Sequence, residues 1–166
     1  MNARKIFDQF RRARQDGMAI TGTWDITITR ADGTVEHRRK TNQLTAAGLN
    51  VIASRMVSET GSAFGFLAVG SGTAAASLGS TLLINEISRK AGATLTSSKE
   101  VAIIVCTWGG AADSVTSAVL EEAGWFNNVN SGQATMLNKV LGVNATLADS
   151  DHLKLQVEVQ VGSHNI

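Results

Sequence analysis

The chain contains no proline and no tyrosine, a single cysteine, and only 17% charged residues among its 166 positions. Each shortage excludes something. One cysteine, Cys106, rules out an internal disulfide framework and a cysteine-rich zinc site, and within the apolar run 101–106 it reads as a small buried hydrophobe. No stretch approaches the roughly 18 to 20 apolar residues of a membrane helix, and the N-terminal residues mix arginine with phenylalanine where a signal peptide has an apolar centre. These features predict a soluble protein made in a cytoplasm, with no membrane partner. Neither another histidine nor a cysteine stands at ligand spacing from His37, His152 or His164, so no metal and no cofactor is expected.

What is present is a globular composition. Hydrophobic residues make up 43% of the chain, which sets it apart from a disordered segment, and its length suits one domain with a true core. An uncharged coat of Ser, Thr, Asn and Gly fits a sheet-rich protein that packs against neighbours. Charge is spread unevenly: residues 1–40 hold nine Lys/Arg against five Asp/Glu, whereas the remainder holds six against nine. A basic end favours an acidic partner surface; nucleic acid is the weaker expectation.

Apolar periodicity divides the chain. Over residues 3–16, Ile6, Phe7, Phe10 and Ala13 recur at three- and four-residue spacing with Gly17 as a stop, so the spacing predicts an amphipathic N-terminal helix. Residues 1–17 are read as a helical anchor and 18–166 as a single β domain. Trp24, Ile26 and Ile28 alternate with polar residues, and Ala31, Asp32, Gly33 and Thr34 supply the turn of a β-hairpin that returns over 35–41. Thr45 caps a second helix whose apolar stripe is Leu49, Ile52, Ala53, Met56 and Val57, ending near 59–61. Strands follow at 64–69, 82–88, 93–97, 100–108, 114–120, 134–141 and 153–161. The fold expected is mainly β: an antiparallel, jelly-roll-like β-sandwich with the N-terminal helix and one internal helix.

Candidate chemistry is sparse. Neighbouring carboxylates such as Glu121 and Glu122 point to opposite faces of a strand and cannot work as an acid/base pair; one is expected to face solvent and the other to cap a turn. Residues 70–73, Gly-Ser-Gly-Thr, imitate a phosphate loop but lack its Gly-Lys-Ser/Thr ending. Trp24, Trp108, Trp125 and Phe126 suit either a core or a sugar-stacking platform, and their place in apolar alternating runs favours the core. Glu86 and Arg89, three apart in an otherwise apolar segment, read as an ion pair at the edge of a subunit contact.

Three segments then bear a resemblance in one chain order. Asn42, Leu44, Thr45, Ala47, Gly48 and Leu49 stand at the positions of an N-x-[IL]-T-x-A-G-L helix start. Ala68, Val69, Gly70, Gly72, Thr73, Leu82, Glu86 and Arg89 match an AVGxGT…L…E…R segment, and Glu122, Ala123, Gly124, Phe126, Gly132, Met136 and Leu137 an EAGxF…G…ML one, with Lys139 near a basic position shifted by one. Over about residues 22–161 the chain resembles small virion structural proteins of tailed bacteriophages, of tail-fibre, tail-accessory or head-decoration type. The resemblance implies a non-enzymatic component of the virion, made in the host cytoplasm, that attaches to other phage structural proteins; a chain with so few charges leaves apolar and uncharged polar surface for symmetric contacts, so a homo-oligomer (a dimer or trimer) is expected. The alternative is a carbohydrate-binding module recognising a host glycan.

Residues 1–17 lie outside the resemblance, and they are the expected partner-binding segment. Ile6, Phe7 and Phe10 would be buried on the partner, with Arg4, Arg11, Arg12 and Arg14 facing an acidic rim, because an isolated helix of about 14 residues is marginal in water. Deletion of residues 1–16 is expected to leave the melting transition of the β domain unchanged and to abolish incorporation into particles in a complementation assay. Incorporation at normal copy number would place the anchor elsewhere.

Overall fold

In the hairpin the pattern acts as its period demands. The computed structural model describes residues 18–55, 62–98 and 101–163. Strand β1 (Met18–Thr29) turns through residues 30–34 into β2 (Val35–Thr41), with Gly33 at φ 87° donating its N–H to the Arg30 carbonyl at 2.9 Å. Trp24, Ile26 and Ile28 are fully buried while their neighbours face outward, as period-two alternation requires of a strand with one wet face. Strand β3 (Gln43–Leu44) leads into helix α1 (Ala46–Arg55), followed by β4 (Phe66–Gly70), β5 (Glu86–Ala91), β6 (Thr94–Ser98), β7 (Val101–Gly109), β8 (Val119–Phe126), β9 (Met136–Thr146) and β10 (His152–Ser163).

Two antiparallel five-stranded sheets result, in the orders β2-β1-β10-β7-β6 and β3-β9-β8-β4-β5. Their inner faces form one core from Trp24, Ile104, Trp108, Leu153, Leu155 and Val157 on the first sheet and Leu67, Val69, Leu120, Trp125, Val140 and Val143 on the second. The expected β-sandwich with one internal helix is what the described residues form. The chain passes between sheets at both lateral edges, from β2 to β3 at Asn42 and from β5 to β6 at residues 92–93. Side chains stitch the second of these corners: Trp108 Nε1 donates to Ser88 Oγ at 3.0 Å and Lys90 Nζ to the Thr107 carbonyl at 2.8 Å, each linking β7 to β5.

Helix α1 begins as expected. The Thr45 hydroxyl accepts the Gly48 N–H at 3.0 Å and donates to the Met136 carbonyl, so one side chain both caps the helix and ties it to β9. Gly48 sits directly on that strand, where a Cβ would fall 2.6 Å from Leu137 Cα. Ile52 packs against the core, but Ala53 is exposed; the buried face turns through Gly48, which periodicity in apolar residues does not count. Met56 and Val57 lie outside the described residues, as do the N-terminal helix expected over 3–16 and residues Arg4, Ile6, Phe7, Phe10, Arg11, Arg12 and Arg14.

Several strand boundaries differ from the expectation. Residues 114–118 are turn instead of strand, because Asp113 accepts the Gly109 N–H at 2.8 Å and the Lys90 ammonium at 3.0 Å, folding the chain back before β8 starts at Val119. Residues 82–85 are loop, with Leu83 buried and Leu82 and Ile84 exposed, and the strand begins only at Glu86. β9 opens after a short 3-10 turn (Ser131–Gln133) and runs five residues beyond the expected end.

All three candidate platform tryptophans, Trp24 and Trp108 at 0% and Trp125 at 3% exposure, are core residues, as is Phe126. Replacing Trp108 by Ala is expected to cost about 3–5 kcal/mol in urea unfolding, through lost burial and an unfilled cavity. A folded Trp108→Ala protein of near wild-type stability would contradict the packing described.

Candidate interaction surface

Burial on both faces marks the middle of the second sheet as unusual. Of the eight residues of β8, Glu122 through Phe126 are all buried, and β9 is buried from Met136 to Val140. The inner face belongs to the main core. On the outer face Ala68, Phe126 and Met136 form a second, smaller cluster, closed by Leu83 from the connection 71–85. That connection is therefore a lid over the sheet, and its attachment is polar.

Glu122 is fully buried and Lys139 is 1% exposed, with Oε2 and Nζ 2.6 Å apart. At that distance the buried ammonium directly compensates the Oε2 side of the carboxylate. The other oxygen, Oε1, accepts the N–H of Gly72 at 3.1 Å and of Asn85 at 2.9 Å, one from each end of the lid. Burial opposes ionisation of Glu122 more than any other single influence, yet the Asn85 N–H, the Lys139 ammonium and the Ile84 N–H together outweigh it and hold the carboxyl below its ordinary value. Gly70 and Gly72 are required for this approach, since a Cβ on them would lie 2.9 and 2.4 Å from Oε1. The Gly-Ser-Gly turn thus cradles an anion after all, and the anion is the protein's own.

Glu86 and Arg89 are brought together as the sequence suggested. Arg89 donates through Nε and Nη2 to the two Glu86 oxygens at 2.9 and 2.6 Å, and through Nη1 to the Asn128 carbonyl at 2.7 Å. Its guanidinium carbon lies 3.8 Å from the centre of the Phe126 ring. With its side chain 4% exposed, Arg89 is engaged within the subunit, tying β5 to the connection 127–135.

Outward from these two anchors the lid shows apolar side chains. Leu78, Leu82 and Ile84 are 53%, 45% and 65% exposed, and Val129 on the neighbouring connection is 54% exposed. The remaining sequence candidates stay apart: Glu121 is half-buried at the irregularity between Leu120 and Glu122, His37 lies on β2 beside the Thr27 hydroxyl, His152 opens β10, and His164 is outside the described residues. Among the described residues no three His, Cys, Asp or Glu side chains are grouped to hold a metal, and no helix is long and apolar enough to cross a membrane. Lys139 was the residue sequence reading undervalued. The available signal was one cation in β9 and one extra carboxylate in β8, each inside an otherwise apolar strand.

No protein-family model matches the chain, and comparison with curated proteins finds no match. A search of solved structures returns the membrane-proximal domain of mouse lysosome-associated membrane protein 1, at 10% identity over 87% of this chain and 78% of that one. Its TM-score is 0.15, too low to carry an argument.

Removing one member of a buried pair leaves the other charge uncompensated. Glu122→Gln is expected to destabilise the protein by about 3–5 kcal/mol in urea unfolding, and the double variant Glu122→Gln/Lys139→Met, which keeps an acceptor for the Gly72 and Asn85 N–H groups and removes the stranded cation, to recover most of that loss. Because the folded carboxyl titrates below its ordinary value of 4.5, its stabilisation is complete above that pH and is lost as the pH falls through the lower folded value. A wild-type melting temperature that stays flat on acidification while Glu122→Gln loses stability at neutral pH would contradict this assignment.

Proposed function

We propose that this protein is a non-enzymatic structural component of a bacteriophage particle, a β-sandwich subunit that assembles with copies of itself and attaches to head or tail proteins. One observation carries the reading. Two of the three segments that resemble virion proteins, separate in sequence, meet at two anchors: Gly70 and Gly72 around Glu122, itself on Lys139, and Arg89, paired with Glu86, over Phe126. Charge used in this way fixes a loop's shape, which serves a scaffold. These anchors present Leu78, Leu82 and Ile84 on a lid clamped at both ends, and exposed apolar side chains on a rigid support suit a protein contact. A glycan-binding reading rested on the tryptophans as a stacking platform, and they lie in the core.

Virion location is tested by immunogold labelling of particles, with decoration of head or tail expected. The lid is tested with Leu82→Asp/Ile84→Asp, both exposed positions. The expected outcome is an unchanged melting transition with incorporation into particles reduced on the order of tenfold or more, a loss equal to at least about 1.4 kcal/mol of contact. Wild-type incorporation of this variant would remove the lid from the attachment surface.

A further inference from the structure

Strand β2 carries opposite charge at its two ends. Where the chain crosses between sheets, a cleft of about 660 Å³ opens, lined by Arg39, Lys40, Gln43, Ala76, Lys139 and Leu141 among others, with no carboxylate in its wall. Lys139 is matched by Glu122. Arg39 is 68% exposed and meets Asp25 only at 3.7 Å. Lys40 reaches over β9, where its Nζ would lie 2.6 Å from a Cβ at Gly142, and no carboxylate of the described residues is within ion-pair distance of it. Both cations border this opening, from opposite faces of β2: Lys40 without a carboxylate partner among the described residues, and Arg39 with only its long contact to Asp25.

The far end of β2, roughly 17 Å away at about 3.4 Å per residue, has the reverse balance. There the β1–β2 turn is laced to the β9–β10 connection: the Ala31 N–H donates to Asp151 Oδ1 at 3.0 Å, and Arg30 pairs with Asp151 at 2.9 Å and Glu36 at 2.7 Å. Arg38 also pairs with Glu36, so the cations of this end are matched. Asp32 and Asp149 are left exposed on the two turns, without an ion-pair partner among the described residues. Asp32 is fixed in place by accepting the Thr34 N–H at 2.8 Å.

We infer that the basic cleft at the β2–β3 crossover receives the acidic tip of a second copy, Asp32 and Asp149 of one subunit against Lys40 and Arg39 of the next, so that copies associate head to tail. This rests on the reading of the protein as a self-assembling subunit and names the surfaces that assemble. Two uncompensated cations are too few to follow a phosphate backbone, where binding grows with the number of phosphates neutralised. Two turns laced together through Asp151, each bearing one exposed carboxylate, match them in number and sign. Because cleft and tip are different surfaces, the contact is heterologous and closes into a ring or continues as an open chain.

Sedimentation of the full chain tests this with Arg39→Glu/Lys40→Glu, Asp32→Lys/Asp149→Lys and their equimolar mixture. Each variant alone is expected to self-associate on the order of tenfold or more weakly than wild type at low salt. The mixture is expected to recover association, since the intact tip of one variant meets the intact cleft of the other and the two reversed surfaces are again opposite in sign. Should charge reversal lower the melting transition, Arg39→Gln/Lys40→Gln replaces it, with a smaller loss of association and, on mixing with Asp32→Lys/Asp149→Lys, recovery only as far as a 1:1 dimer. Wild-type association of either variant, or variants that weaken but fail to pair on mixing, would overturn the head-to-tail contact and leave self-assembly standing. A wild-type protein that is monomeric at every concentration would overturn both.

Discussion

The buried contact between Glu122 and Lys139 is the constraint on which the second sheet depends. Two charges withdrawn from water are costly, and the low-dielectric interior returns that cost only when their remaining valences are met. Here the carboxylate is met on one side by an ammonium at 2.6 Å and on the other by two backbone N–H groups. Those N–H groups come from residues thirteen apart in sequence, Gly72 and Asn85, so satisfying one carboxylate fixes both ends of a long connection. The lid is ordered by the need to compensate a charge, and Leu83 then closes the small apolar cluster beneath it.

That arrangement explains a sheet buried on both faces without a second layer of secondary structure. An outer face covered by a connection must supply hydrogen-bond partners for the connection's backbone, because a buried loop carries polar groups that water can no longer reach. Glu122 provides them on the β4 side. Arg89 does the equivalent at β5, donating to the Asn128 carbonyl while its flat guanidinium covers Phe126. The same two side chains therefore act as polar caps for backbone and as packing for the cluster. Among the described residues, Trp24 Nε1 and the side-chain amides of Asn42 and Asn138 are buried without hydrogen-bond partners.

Charge in the rest of the subunit is arranged at its margins. Arg30 joins the β1–β2 turn to the β9–β10 connection through Glu36, Asp151 and the Thr146 carbonyl, and Lys90 joins β5 to the turn after β7 through Asp113. In a chain with so few charged residues, such bridges concentrate the polar contacts at places where strands end and connections need holding. Between them the outward face of β1 and β10 mixes Thr21, Thr23, Thr27, Gln156 and Gln160 with Asp25, Lys154 and Glu158.

Much of this was legible in the sequence where local pattern and tertiary demand coincide. Alternation fixed which residues of β1 and β10 face inward, because a period of two leaves only two choices and one of them buries Trp24, Ile26, Leu155 and Val157. Thr45 was legible as a cap because capping is a contact within one turn. The one missing element of the pattern was Gly48: its value is an absent side chain opposite Leu137, which periodicity does not register. What only the tertiary structure decided was the fate of groups whose partners are distant. Glu122 lies 17 residues from Lys139 and 50 from Gly72, and its meaning changes from a solvent-facing carboxylate to the clamp of a lid solely through strand pairing and the folding back of residues 71–85. A sequence displays the hydrophobic periodicity of each strand directly, whereas the compensation of a buried charge is a property of pairs and becomes visible only when the sheet brings both members together.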